Sequence, residues 1–582
     1  MADVIYMHDH REEGGWGVEP DDISLTVGHG NGKVPLTWFV NEKTKINGQT
    51  ISEVAGIIFK RSTDHIPKNE NDGTTILDTT ATSGTFEDTS VTNETTYYYN
   101  AFPYSKHKVY NRNSHGGSTT PKAKAFVTVQ FDCNAANGST LTATQRDNSL
   151  TATVNAYGYT KGGSAYFELP TVGTWNISGV SVEIEELGKD VFLHGHVYGY
   201  DWLLPPAEAD TESQISYPAG VNNENFGHVG VCGSDAEISV GDWQTFFDDF
   251  LKARPVMLNF DGTVAKELNH SDQTLNLDGT ASNVANSSVT QNAMVELPKK
   301  YIKRTASDGY GHFLISEFKL SDDFSCDPWL YGSDRDTAVE NDNIYLPMFE
   351  GGVVSSKLRS LSGLTPINTQ TGATERTYAQ ACGSGWDLDD YGDMCLISDF
   401  MLMVAKSTNV QTHWGMGHYA GGNDASSLHT TGSLVKTGPF YGGTGNTNMK
   451  FMWMENWYGD RWERTLGCMM ISSTIRVKPF PPYTTDGTTT NWTSLGHGIG
   501  GTSGGYISSV TYSKDGWAPS VASGADGKYL PDGAWFNAGP TVLLRGASCS
   551  YGARVGLAFS LDNPWSSSYW IIGASLTFKK VS

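Results

Sequence analysis

The sequence has no uninterrupted apolar run of the ~18 residues that a membrane-spanning helix needs. Its opening segment, MADVIYMHDHREEGG, lacks the apolar core of a secretion signal. Neither membrane insertion nor signal-peptide export is therefore expected. Cysteine is sparse and scattered: Cys133, Cys232, Cys326, Cys382, Cys395, Cys468 and Cys549, with no Cys-x-x-Cys pair and no Cys/His zinc spacing. An odd number at irregular spacing predicts free thiols and folding in a reducing cytoplasm. Positive charge is in deficit, with 40 Lys and Arg against 63 Asp and Glu, a formal net charge of −23. Such a surface repels phosphate backbones and argues against nucleic-acid binding. It also repels anionic cell-wall polymers, so any cell-surface contact should be local, through polar and aromatic side chains.

Motifs for familiar chemistry are missing too. There is no G-x-x-x-x-G-K-[ST] loop, and GHGIGG at 496–501, though it satisfies G-x-G-x-x-G, is not followed by a helical pattern. The acidic group Asp387, Asp389, Asp390 and Asp393 reads as a run that caps a helix, with no signature of a paired-acid glycosidase. His8, Asp9 and His10 form a His-x-His without further ligands nearby. SDRDTAVENDN lacks the glycine of an EF-hand loop. No catalytic residue, no metal, no cofactor and no enzymatic activity is expected. Neither heptads nor a β-helix repeat is present.

What the sequence does hold is glycine (65), tyrosine (27) and tryptophan (16), with charged residues at only 18%. That composition is turn-rich and folded, and the length suits roughly three or four domains. Residues 1–22 are polar and read as an anchoring arm. Residues 23–120 alternate with period 2: Leu36 and Trp38 share a face in VPLTWF, Ile58 follows in GIIFKRS, and Tyr97, Tyr99 and Ala101 share a face in TTYYYNAFP. In 121–195 the run AYFELPTVGTW puts Phe167, Leu169 and Trp175 inward, with Gly173 in a turn. Residues 196–300 form a connecting α+β region. In DWQTFFDDFLKA, Trp243, Phe246, Phe247, Phe250 and Leu251 recur at i, i+3, i+4, i+7 and i+8, which predicts an amphipathic helix capped by Asp242. Residues 301–582 read as one α+β domain. It opens on HFLISEF, with Phe313, Ile315 and Phe318 alternating. A helix is predicted from Asp389 to Lys406 with Met394, Ile397, Met401 and Val404 on one stripe.

Three resemblances follow from these residues. Trp38 and Tyr97 match the core Trp and the corner Tyr of fibronectin type III modules. F-x-L-P-x-x-G-x-W resembles the sandwich of carboxypeptidase-regulatory-like repeats. ENWYGDRWER (455–464) and LLRGAS…ARVGLAFSLDN…WIIGASLTF (543–578) resemble tail and fibre proteins of phages of gut bacteria, whose C-terminal half takes a C-type-lectin-like fold. Supporting stretches are LRSLSGLTP and MLNFDGT…LDGT…NAMVELP. The fold expected is mainly β with an α+β C-terminal domain, in which tandem β-sandwiches precede a C-type-lectin-like domain.

The resemblance implies a virion structural protein, a tail or head fibre, made in the host cytoplasm and released by lysis. It implies virion proteins as partners of the N-terminal region, a host surface glycan or protein as ligand, and a homo-oligomer, with a trimer as the common fibre form. A tail-associated glycan hydrolase and a purely architectural decoration protein are the alternatives. The calcium-lectin signatures EPN, QPD and WND are missing, and LDNPW supplies only Asp562 and Asn563 as oxygen donors. The paired cysteines of formylglycine-generating enzymes, which share the fold, have no match. By position, the implied ligand-binding residues are Ser550, Tyr551, Arg554, Ser560, Asp562, Asn563, Trp565, Ser567, Tyr569 and Trp570. Tyr and Trp offer large contact area at small rotamer cost, while Ser and Asn offer adaptable hydrogen bonds. Glu455 and Arg461 are expected in a buried network beneath that face, and Leu543, Leu544, Val555, Leu557, Ile572, Leu576 and Phe578 on strands with one buried side.

Overall fold

The computed structural model describes residues 22–41, 54–113, 116–204 and 210–581. The expected arm at 1–22 and the His8–His10 pair therefore lie almost wholly outside the described residues. The chain is mainly β and divides into two compact units. One comprises the chain to Gln130 with Asn137–Tyr157 and Gly163–His194; the other comprises Phe131–Ala136, Gly158–Gly162 and Gly195–Ser582. All seven cysteines are free thiols. Among the described residues no helix is long and apolar enough to cross a membrane.

In the first unit, alternation produces two sandwiches. The first pairs a sheet ordered Ile23–Val27, Val34–Val40, Ser83–Asp88 with one ordered Thr74–Thr79, Gly56–Ser62, Tyr97–Tyr104, Gly117–Thr119. Leu36 and Trp38 from one sheet meet Ile57, Phe59, Tyr97, Tyr99 and Ala101 from the other, with the Trp38 and Phe59 rings edge-on at 4.8 Å. Ile58, in the same strand, is not on this core face. Period 2 sends Ile57 and Phe59 inward together and leaves Ile58 half-buried on the other side. The Tyr97 hydroxyl accepts a hydrogen bond from the Thr92 amide at 3.1 Å, pinning the corner before its strand. The second sandwich has four strands in each sheet. Phe167, Leu169 and Trp175 are buried in it, and the Trp175 indole donates to the Thr171 carbonyl at 2.9 Å.

The second unit is built on three larger sheets. A four-stranded sheet runs Ile215–Ser216, Val197–Leu203, Tyr310–Ser316, Tyr301–Ser307. A six-stranded sheet runs Val264–Glu267, Arg254–Asn259, Gln291–Pro298, Asn343–Pro347, Leu576–Phe578, Trp386–Leu388. The third runs Thr493–His497, Thr474–Val477, Trp462–Ile471, Thr541–Arg545, Phe559–Asn563, Leu530–Phe536, Gly505–Ile507, with Ile572–Gly573 parallel beside Trp462–Ile471. The first two sheets take strands from both sides of residue 300, so the separation expected at 300/301 has no counterpart in the strand pairing.

Two helices position the rest. Helix α1 is Gly372–Gln380 and helix α2 is Tyr391–Ala405. Helix α2 starts where expected: the Asp390 carboxylate accepts from the Asp393 amide at 3.0 Å, closing the first turn. The expected single apolar stripe proves too narrow, because every residue of α2 is buried. Of its polar members, Asp399 accepts from Tyr200 at 2.6 Å and pairs with Arg304, and Ser398 donates to the Met394 carbonyl at 2.7 Å. The segment expected as an α-helix capped by Asp242 is instead a short 3-10 turn, Gly241–Trp243, leading into a π-helix, Phe246–Leu251. Asp242 lies inside that turn and accepts from the Gly227 amide, so it is no cap. The wider π turn still buries Trp243, Phe246, Phe247, Phe250 and Leu251 together.

Candidate functional site

The implied ligand-binding residues lie around the strands Leu530–Phe536 and Phe559–Asn563, which run parallel with Trp535 opposite Ser560. Trp535 is half-exposed. Its ring stands edge-on to Trp462 at 5.2 Å and to Tyr551 at 5.0 Å, and Tyr551 is 5.4 Å from Trp462. The Arg554 guanidinium sits 5.5 Å from the centre of the Tyr506 ring. Gly533 makes room for this grouping, since a Cβ there would lie 2.3 Å from Trp535 Cη2 and 3.1 Å from Arg554 Cβ. Tyr506, Trp535, Tyr551 and Arg554, each half-buried, are thus gathered into an aromatic and cationic platform.

The ten implied residues do not act alike. Ser550 and Tyr569 are exposed, Tyr569 by 55%. Tyr551, Arg554, Asp562, Asn563, Trp565 and Trp570 are half-buried. Ser560 and Ser567 are buried and are corrected from contact to scaffold residues. The Ser560 hydroxyl donates to Asp562 Oδ1 at 2.5 Å, and the Ser567 carbonyl accepts from Arg464 Nη2 at 3.0 Å. Trp565 also serves the scaffold in part. Its carbonyl accepts from the Gly372 amide at 3.0 Å at the start of α1, and its ring faces the Arg464 guanidinium at 5.4 Å. Sequence reasoning missed Tyr506 and Trp535, whose only signal is an aromatic on each of two short glycine-flanked strands, GGYI and DGAWF.

A buried charge network centres on Arg461, the residue before Trp462. Arg461 donates to Glu350 at 3.1 Å, to Glu463 at 3.0 Å and to the carbonyls of Ile367 and Ala574. Burial, followed by the charge of Asp460, pushes the Glu350 carboxyl well above the usual carboxylate range. Gly573 is required here, because a Cβ would lie 2.2 Å from both Arg461 Nη1 and the Ile367 carbonyl oxygen. Glu455 forms a separate buried network, accepting from the amides of Gly432 and Ser433 and from Asn448 at 2.8 to 3.0 Å. Both residues are core, as expected, although they do not pair with each other. The strand Thr541–Arg545 is buried on both faces rather than one. The second face is occupied by polar pairing: Arg545 bonds Asp389 at 2.8 Å and lies 3.7 Å over the Trp457 ring.

Asp532 gives this region a pH response. It is wholly buried, accepting from Gln411 Nε2 at 2.6 Å and from the Leu557 amide at 2.9 Å. Burial pushes its carboxyl up to about 8 despite those bonds. The folded state therefore keeps a proton that the unfolded chain releases at its ordinary pKa of ~3.9. This stabilisation is present at low pH and is lost as pH rises from about 4 towards about 8. Urea unfolding of wild type and Asp532→Asn at several pH values in that window is expected to show wild type losing up to ~1.4 kcal/mol per pH unit relative to the variant. A difference that does not change with pH would contradict this assignment.

Two other features have chemical potential. A cleft of 430 Å³ opens beside the last strand, lined by Tyr331, Trp386, Asp387, Tyr483 and Lys579 among others. Among the described residues, His418, His429 and Asp460 form a group able to hold a metal ion, with donor atoms within 4.8 Å of one another. Sequence reasoning expected no metal ligands and did not single out these three.

No family model matches the chain, and no curated protein matches it. Among solved structures, a pectate lyase of Pectobacterium carotovorum is matched at 21% identity over 18% of this chain and 29% of that one, with a TM-score of 0.14. A pectate lyase of Erwinia chrysanthemi in complex with tetragalacturonic acid is matched at 18% identity over 19% and 33%, with a TM-score of 0.13. The Bacillus anthracis TIE protein is matched at 9% identity over 51% and 72%, with a TM-score of 0.11. The chain spans about a third of the length of the pectate lyases it matches. The expectation of no enzymatic activity is corrected on this point, because the first matched structures are enzymes. At such TM-scores the likenesses carry no argument for a fold or for a particular reaction.

Proposed function

We propose that the chain is an attachment protein of a phage virion, a tail or head fibre that contacts a bacterial surface glycan or protein through its C-terminal face. The observation that carries this reading is the platform of Tyr506, Trp535, Tyr551 and Arg554. The Trp535 and Tyr551 rings are braced edge to face and left half-buried, with Ser550 exposed beside Tyr551. Rings held this way lose little freedom when a sugar or peptide stacks on them. In this reading the C-terminal half is C-type-lectin-like. The two sandwiches, fibronectin type III-like and carboxypeptidase-regulatory-like, act as spacers, the N-terminal region joins other virion proteins, and the protein is a homo-oligomer.

The test is retention of the purified chain on immobilised capsular polysaccharide, lipopolysaccharide and wall glycan, with release of reducing ends read in the same samples so that binding and cleavage are distinguished. Wild type is expected to be retained on at least one surface. The triple variant Tyr551→Ala, Asn563→Ala, Tyr569→Ala is expected to bind roughly 10-fold or more weakly, from the ~2 kcal/mol that truncating central contacts costs. Equal retention of wild type and variant would overturn the reading.

A further inference from the structure

Four chain segments meet around Asp460. Its amide donates to the His418 carbonyl at 2.8 Å, its carbonyl accepts from the Cys549 amide at 2.9 Å, and its Oδ1 accepts from the His429 amide at 2.9 Å. Its backbone is held at a φ of 44°, in the left-handed region that a non-glycine residue enters only under constraint. Two imidazoles converge on this carboxylate. His418 Nδ1 is 2.5 Å from Asp460 Oδ1, and the His429 ring stacks on that of His418 at 3.6 Å between centroids and 5° between planes. His429 Nδ1 is 2.5 Å from Asn448 Oδ1. The amide of Asn448 is in turn fixed by Glu455 at 2.8 Å, so the ring's support is itself supported.

We propose that His418, His429 and Asp460 bind one divalent transition-metal ion of the zinc class. Three features point to a ligand here. The donor atoms of the three residues lie within 4.8 Å of one another. Asp460 is wholly buried, yet its Oδ2 has no hydrogen-bond partner, which leaves an anionic acceptor unsatisfied where a cation would meet it. The His429 imidazole is oriented by Asn448 Oδ1, itself held by Glu455, as the outer partner of a metal-bound histidine orients its ring. Two imidazoles and one carboxylate suit zinc, cobalt or nickel better than calcium or magnesium, which prefer oxygen ligands throughout.

Parallel rings cannot both point their lone pairs at one ion, so binding requires them to splay. His429, only half-buried, is the less enclosed of the two rings, and its turning would exchange the Asn448 contact for the ion. The site joins the 415–421 loop to the 548–552 segment, which already share bonds from Gly421 to Cys549 and from Gly552 to Tyr419. An ion here would stiffen the loop that carries Tyr551. The proposal does not depend on what that tyrosine contacts.

The full chain, without an affinity tag and with His8→Ala and His10→Ala to remove the N-terminal pair, is stripped with chelator and titrated with zinc against a chromophoric competitor. One equivalent is expected to bind, with affinity reduced at least ~100-fold in His418→Ala and Asp460→Asn. Asp460→Asn preserves side-chain shape, so its thermal unfolding shows whether loss of binding comes from loss of fold. Cobalt added to the stripped parent chain needs no further variant, and visible d–d bands at one equivalent are expected. No stoichiometric zinc uptake, or a cobalt spectrum that of the free aquo ion, would overturn the proposal.

Discussion

Arg461→Met is expected to destabilise the 195–582 unit by ~3–5 kcal/mol, the usual consequence of removing one partner from a buried ion pair. Arg461 is wholly enclosed between Glu350 and Glu463 and also ties the carbonyls of Ile367 and Ala574. Methionine fills much of the volume but strands both carboxylates in a medium that disfavours their charge. The loss has a definite pH sign. Burial already holds Glu350 protonated at higher pH than the unfolded chain, and removing the cation extends that range. The folded variant then binds more protons than the unfolded one, so its deficit grows as pH rises and shrinks as pH falls. Chemical denaturation followed by tryptophan fluorescence at pH values on both sides of neutrality reads both effects. Adding Glu350→Gln to the variant is expected to recover part of the loss. A deficit below 1 kcal/mol, or one larger in acid, would contradict this picture of the core.

Lys579→Met should cost a similar amount through a different part of the unit. Lys579 lies 2.5 Å from Asp390 and 3.0 Å from Asp393, all three buried. Asp390 caps α2, and Lys579 immediately follows the strand Leu576–Phe578, which lies between Asn343–Pro347 and Trp386–Leu388 in the six-stranded sheet. Losing the cation weakens the first turn of α2 and the seating of that strand together. Lys303→Met, which breaks a pair with the largely exposed Asp323, is the matched control and is expected to change stability by under ~1 kcal/mol. Equal effects of the two substitutions would refute the special standing of Lys579.

Local signals proved the readable ones. Trp38, Tyr99 and Trp175 fall inward because period-2 alternation needs no knowledge of partners, and Asp390 caps α2 because a cap is decided within one turn. The π turn at Phe246–Leu251 was not readable, since its apolar spacing also satisfies an ordinary helix. Ser560 and Ser567 were misplaced for a different reason. They are carried over by position from the resemblance, and position cannot say that Ser560 turns to Asp562 or that the Ser567 carbonyl meets Arg464, 103 residues away. The platform was half legible. Arg554 lies in the segment ARVGLAFSLDN on which the resemblance rests and Tyr551 just before it, whereas Trp535 joins them only through the parallel pairing of Leu530–Phe536 with Phe559–Asn563. His418 and Asp460 are 42 residues apart, a separation that no ligand-spacing pattern covers.

The central claim is that the half-buried platform of Tyr506, Trp535, Tyr551 and Arg554 is the surface that engages the bacterial target. Competition for adsorption tests it most directly: purified chain is added to susceptible cells before the virus, and residual adsorption is measured. Wild-type protein should block adsorption in a saturable way. Tyr551→Ala with Arg554→Ala should fail to block, while Phe192→Ala, at an exposed position in the other unit, should block as wild type does. Blocking by the platform variant at the wild-type concentration would contradict the account.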